Sequence, residues 1–140
     1  MGRMASHAAR LAALGEAYLI AGRLDDATAL AGRALALARE RTERGNEAWA
    51  LRLRGAVADR IDQSSCTPAE ASYREAIALA DELGMRPLRA TCALELGALY
   101  RRHGMSEPAR EHLTAALELL KAMEMPLWLE RAGAEYRALG

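Results

Sequence analysis

The chain has 140 residues, the length of one domain, and 32 Ala and 22 Leu supply most of its 51% hydrophobic content. Phe is absent and β-branched residues are scarce, so the composition favours helices and argues against a sheet. The 19 basic residues balance 19 acidic ones, which argues against a nucleic-acid-binding protein, because such domains usually carry a basic excess.

Seven helices are predicted from apolar residues spaced three and four apart and from the Gly and Pro residues between segments. On the first helix, Leu11, Leu14, Tyr18 and Ala21 recur at spacings of three and four and are expected to form one face. The first six helices form three antiparallel pairs, and the seventh stands alone. The approximate ranges are 6–21, 25–44, 47–61, 68–83, 87–104, 106–123 and 126–139.

Local residues predict where some of these helices begin and end. The dipeptide Gly45-Asn46 is expected to end the second helix, because both residues accept the left-handed conformation that follows a helix. Thr67 and Ser106 are expected to cap the fourth and sixth helices, since each is followed by a Pro suited to the first helical turn.

A motif of glycine, tyrosine and spaced alanines recurs three times, at a period of 40 to 42 residues. The clearest copies read Leu14-Gly15-x-x-Tyr18 and Leu96-Gly97-x-x-Tyr100, each followed by spaced Ala on the next helix. The middle copy keeps Gly55 and then Ala69-x-x-x-Tyr73-x-x-Ala76. Such a period is typical of stacked helical repeats, here at about 6–45, 46–85 and 86–124.

These motif residues resemble the tetratricopeptide repeat family, whose first helix carries Leu-Gly-x-x-Tyr and whose second carries spaced Ala. Nearly the whole chain also resembles the C-terminal repeat region of large bacterial signalling ATPases with cyclase or transcription-regulator modules. The resemblance implies a right-handed α-α solenoid of three helix pairs, with a capping helix at about 126–139, in one domain over residues 1–140.

The repeat register carries the family's concave binding face onto the first helix of each pair. Small residues such as Ala9, Ala12, Ala56 and Ala98 line this face between larger candidates. The candidate binding residues are Glu16, Leu19, Trp49, Arg52, Asp59, Thr91, Leu94 and Arg101.

The expected function is non-catalytic binding of a partner peptide, helix or neighbouring domain. Only Arg52 and Arg101 are basic on the predicted face, so a groove for an amphipathic helix is favoured over a clamp for a terminal carboxylate. The same positions could instead pack against another part of a longer solenoid. An intramolecular arm of a signalling ATPase or cyclase, and a self-associating scaffold, are the alternatives.

Other classes of site find little support in the sequence. Cys66 and Cys92 do not form a CxxC pair, and no His or carboxylate cluster has metal-ligand spacing. We therefore expect no enzyme, metal or cofactor. The absence of a long apolar run predicts no membrane partner and a cytoplasmic location.

The N-terminal end of the predicted array has no preceding cap. Ala8, Ala9, Ala12 and Ala13 are expected to make its outer face apolar, so this end is a candidate for homodimer formation. Trp49 and Trp128 are interpreted more readily as packing residues than as binding anchors.

Overall fold

The computed structural model describes residues 6–139, and within this range it contains seven helices and no strand. This confirms the all-α class and the seven predicted helices. The helices are α1 (His7–Ile20), α2 (Leu24–Glu40), α3 (Arg44–Ile61), α4 (Thr67–Leu83), α5 (Arg86–Arg102), α6 (Ser106–Ala122) and α7 (Pro126–Arg137).

Five of the connections between these helices use the same backbone turn. The residue just before the next helix donates its N–H to the carbonyl five residues earlier, as Arg23 does to Tyr18 at 2.8 Å. The residue before each donor has a positive φ, the geometry that satisfies the last carbonyls of a helix. The donors are Arg23, Glu43, Met85, Met105 and Met125.

The predicted boundary between α2 and α3 is wrong. Helix α2 ends at Glu40, Thr42 takes the left-handed conformation with φ of 56°, and α3 already begins at Arg44. Gly45 and Asn46 therefore lie in the first turn of α3. The stop was misplaced because a β-branched residue, which rarely adopts positive φ, performs the turn that a Gly performs elsewhere.

The predicted cap of α6 is also wrong. Ser106 is the first residue of this helix, and no side chain caps it at its N-cap residue Met105. Helix α4 begins at Thr67, one residue before its predicted start. Ser6 does cap a helix, because its hydroxyl accepts a hydrogen bond from the Ala9 N–H at 3.0 Å.

The chain divides into two compact units between Leu79 and Ala80, within α4. In unit 1, α1 packs against α2, α2 packs against α3, and α1 also contacts α3. A core cluster in this unit draws on all three helices and consists of Leu19, Ala27, Ala31, Leu53 and Val57.

Unit 2 begins with the end of α4 and repeats the same packing order. Helix α5 packs against α6, α6 packs against α7, and α5 also contacts α7. The partly buried Trp128 and Tyr136 of α7 pack against the core of this unit. That core consists of Ala90, Ala93, Leu94, Leu113, Ala116, Leu120 and Ala132.

Glycines of the recurring motif lie where neighbouring helices approach closely. A Cβ atom on Gly97 would lie 2.7 Å from Cγ and 3.3 Å from the backbone N of Leu113. A Cβ on Gly15 would lie 2.9 Å from Cδ2 of Leu53. A Cβ at either position would force a neighbour to shift, but only at Gly97 is a backbone atom among the close contacts.

The apolar face predicted on α1 coincides only in part with its buried face. The buried residues are Ala8, Leu11, Gly15 and Leu19, whereas Leu14 is 46% exposed. Tyr18 is half-buried and Ala21 is exposed. The difference arose because α1 carries apolar residues on opposite sides, so spacing alone allowed two stripes. The burial of Ala8 also removes it from the predicted exposed N-terminal face.

Candidate functional site

One side of α3 carries several of the predicted binding residues. Trp49, Arg52, Ala56 and Asp59 follow one another at spacings of three and four, so they lie on the same side of the helix. Trp49 is 40% exposed, and the other three are partly exposed. Trp49 is therefore not the core residue that the sequence favoured.

An ion pair joins this side of α3 to α1. The two terminal nitrogens of Arg52 donate to the two carboxylate oxygens of Glu16, at 2.8 and 3.4 Å. The side chains are 14% and 34% exposed respectively, so the pair is partly shielded from water. We call Glu16, Trp49, Arg52, Ala56 and Asp59 the α1–α3 face.

A second ion pair joins the corresponding helices of unit 2. Arg101 on α5 donates from Nε and a terminal nitrogen to the carboxylate of Glu135 on α7, at 3.0 and 3.5 Å. These side chains are 30% and 24% exposed. In both units, a helix is thus bound to the helix two further along the chain by a two-pronged charge pair.

Three of the predicted binding residues are buried instead. Leu19 is 6% exposed in the core of unit 1, and Leu94 is 0% exposed in the core of unit 2. Thr91 is 9% exposed, and its hydroxyl donates to the carbonyl of Pro87 at 3.0 Å. These side chains support the helices and present almost no surface to a partner.

Glu135 was not among the residues predicted for the binding face. The signal was available, because acidic and basic residues lie 34 residues apart on helices of the same kind, and Glu16 lies 36 residues from Arg52. Opposite charges separated by nearly one repeat are a pattern that could have indicated both pairs.

The chemistry of the α1–α3 face favours an uncharged contact. The guanidinium of Arg52 is already occupied by Glu16, as that of Arg101 is by Glu135, so neither is arranged to hold a peptide's terminal carboxylate. The exposed indole of Trp49 and the small Ala56 leave an apolar surface beside a neutral ion pair.

A hydrogen-bonded cluster fixes the starts of α1 and α3. The amide nitrogen of Asn46 donates to the Ser6 hydroxyl at 2.9 Å and to the Glu43 carboxylate at 3.0 Å. Hydrogen bonds from the Asn46 and Ser6 side chains hold the pKa of Glu43 below its ordinary value of 4.5. This cluster keeps the first turn of α3, and hence Trp49, in place relative to α1.

Among residues 6–139, no group of three or more His, Cys, Asp or Glu side chains is placed to hold a metal ion. Across the same part of the chain, no helix combines the length and apolar character needed to cross a membrane.

No family model matches the chain, and no curated protein matches it significantly.

Proposed function

We propose that this chain is a non-catalytic protein-binding module of tetratricopeptide type. In this proposal its helix pairs form a right-handed solenoid, and a partner segment lies on the α1–α3 face. The recurring turn and the repeated packing order of α1–α3 and α5–α7 support the repeat interpretation. A cytoplasmic location and a role in bacterial signalling belong to the same proposal and rest on the sequence resemblance.

The observation that carries the proposal is the exposed Trp49 beside the Glu16–Arg52 pair. A large aromatic side chain at 40% exposure loses much more water on binding than the surrounding Ala residues can, which is why Trp is enriched at binding hot spots. The ion pair holds α1 and α3 at a fixed separation, so the surface beside Trp49 is formed before a partner arrives.

The partner that fits this surface is an amphipathic helix. Trp49 and Ala56 offer apolar area along one side of α3, and the small Ala9 and Ala12 of α1 continue it without blocking an incoming helix. The charges of Glu16 and Arg52 cancel, and Asp59 is the one further ionisable residue of the face, so the apolar side of the partner helix should carry most of the affinity.

Fluorescence tests the proposal directly once a partner has been captured with the full chain. In the variant Trp128→Phe, Trp49 is the only remaining tryptophan. We expect its emission to shift to shorter wavelength when the partner is added, because the indole leaves water. In a Trp49→Phe control the remaining Trp128 should report no such shift. Unchanged emission of Trp49 at saturating partner would contradict the proposal.

A further inference from the structure

Helix α1 has an exposed apolar side in addition to its buried one. Ile20 is 77% exposed, Leu14 is 46% exposed, and the alanines between and beside them are exposed as well. We call this surface the outer stripe of α1. It consists of Ala13, Leu14, Ala17, Ile20 and Ala21, at helical spacings of three and four.

The repeat register shows that this side of a helix is suited to packing. Leu53 and Val57 on α3 occupy the positions of Ala13 and Ala17, counted from Gly55 and Gly15. On α3 these two residues are only 2% and 3% exposed, and they belong to the cluster that includes Ala27 and Ala31 of α2. On α1 the same side lies open among the described residues, and an exposed apolar patch of this kind marks an interaction surface.

The order of large and small residues makes the outer stripe complementary to itself. Reading outward from Ala17 in both directions, a large residue comes first (Leu14 or Ile20) and an Ala follows (Ala13 or Ala21). If a second copy packs antiparallel with Ala17 on the two-fold axis, Leu14 meets the partner's Ile20. Ala13 then meets the partner's Ala21, and the small Ala17 lets the two helices approach closely.

The charges near the outer stripe do not oppose this arrangement. The outer stripe contains no ionisable residue, and the nearby Glu16 is bound to Arg52. The C-terminal end of α1 is already occupied by Arg60, whose terminal nitrogen donates to the Leu19 carbonyl at 3.3 Å. The apolar residues of the stripe should therefore carry the contact.

We propose that the chain forms a two-fold symmetric dimer through antiparallel packing of the outer stripes of two α1 helices. This interface differs from the N-terminal face predicted from the sequence, since Ala8 is buried and Ala17, Ile20 and Ala21 take its place. The outer stripe shares no residue with the α1–α3 face, so the dimer stands independently of the proposed function.

The test is sedimentation equilibrium of the full chain over a concentration series reaching about 1 mM, which covers weak specific dimers. We expect a monomer–dimer equilibrium for the natural chain. Ala17→Glu should weaken the dimer by about 100-fold or more, because it sets two carboxylates against each other at the axis. The control Ala29→Glu places the same change on an exposed Ala of α2 and should leave the equilibrium unchanged.

A mixture of two oppositely charged variants tests whether Ala17 lies on the two-fold axis of the dimer. Ala17→Glu and Ala17→Lys should each be monomeric alone and should form a heterodimer when combined, with helix content by circular dichroism like that of the natural chain. A natural chain that stays monomeric at about 1 mM overturns the proposal and leaves the outer stripe to a helix of another protein. A dimer that is insensitive to Ala17→Glu, or two variants that do not associate, also overturns it.

Discussion

The three-helix sets α1–α3 and α5–α7 are built alike but differ in how much of their first helix is buried. In both, the first helix packs on the second and contacts the third, and an ion pair joins the first helix to the third. Helix α5 has eleven buried residues in seventeen, whereas α1 has four in fourteen. The same repeat motif therefore accompanies the same packing order in both sets, although the burial of the first helix differs between them.

The two sets should differ most in the stability lost when the leucine before the motif glycine is replaced with Ala. Leu96 is 0% exposed, and Leu96→Ala should lower the free energy of unfolding by about 3 kcal/mol, because it empties core volume. Leu14 holds the same motif position but is 46% exposed, so Leu14→Ala should cost about 1 kcal/mol or less. Urea unfolding of both variants measures the difference, and equal losses would refute the comparison.

Replacing the motif glycine with Ala should also destabilise the two sets to different extents. Gly97→Ala should destabilise by about 2 kcal/mol, because the new Cβ meets Cγ and the backbone of Leu113. Gly15→Ala should cost less, about 1 kcal/mol, since the nearest atom is the movable end of Leu53.

Gly32 provides the control for both glycine variants. It lies within α2 with open space around its Cα, so Gly32→Ala should stabilise by about 0.5–1 kcal/mol. Thermal unfolding of the three variants gives the order. A Gly97→Ala protein as stable as the natural chain would mean that the close approach of α5 and α6 is not tight.

Glycine substitutions at the two turns that lack glycine should have a smaller effect, and they should raise the free energy of unfolding. Thr42 and Glu124 have φ of 56° and 55°, the region where other turns of the chain have Gly. Thr42→Gly and Glu124→Gly should each stabilise the protein, by about 1 kcal/mol or less, through relief of backbone strain. The gain should be larger at Thr42, because its β-branched side chain tolerates positive φ less well. Destabilisation in both would show that these side chains stabilise the turns.

The smallest expected effect is on the pH dependence of stability, and it involves Glu43 in the first set. Hydrogen bonds from Asn46 and Ser6 lower the pKa of Glu43 below 4.5 in the folded protein. Its contribution to stability is therefore present above the unfolded pKa and is lost as pH falls through the lower, folded value. Glu43→Gln should flatten the pH dependence of unfolding between about pH 5 and pH 3. An identical pH profile for the variant would argue against the Ser6–Asn46–Glu43 cluster in solution.

Much of the fold could be predicted because helix content depends on local residues. Alanine-rich composition, apolar spacing and the Gly turns located all seven helices. The boundary at Thr42 could not be predicted, since nothing in a Thr marks it for the left-handed conformation that five connections share. Helix α1 has two apolar stripes with the same helical spacing. Which of them is buried therefore depends on the positions of α2 and α3.

The candidate site was predicted less completely, for a related reason. The repeat register correctly placed Trp49 and Arg52 on one side of α3, because that relation lies within a single helix. Whether Leu94 or Leu19 faces solvent is decided by neighbouring helices, and both proved to be buried. The charge pairs of Glu16 and Arg101 connect residues 36 and 34 positions away, so only a comparison across one repeat, and not the pattern within one helix, could have indicated them.

The two tryptophans test most directly whether the partner binds to the α1–α3 face through Trp49. With a captured partner, titration calorimetry compares Trp49→Ala and Trp128→Ala with the natural chain. We predict that Trp49→Ala weakens binding about 30-fold or more, as expected of a hot-spot residue, while Trp128→Ala changes it less than about threefold. Equal affinities for the natural chain and Trp49→Ala would contradict the claim.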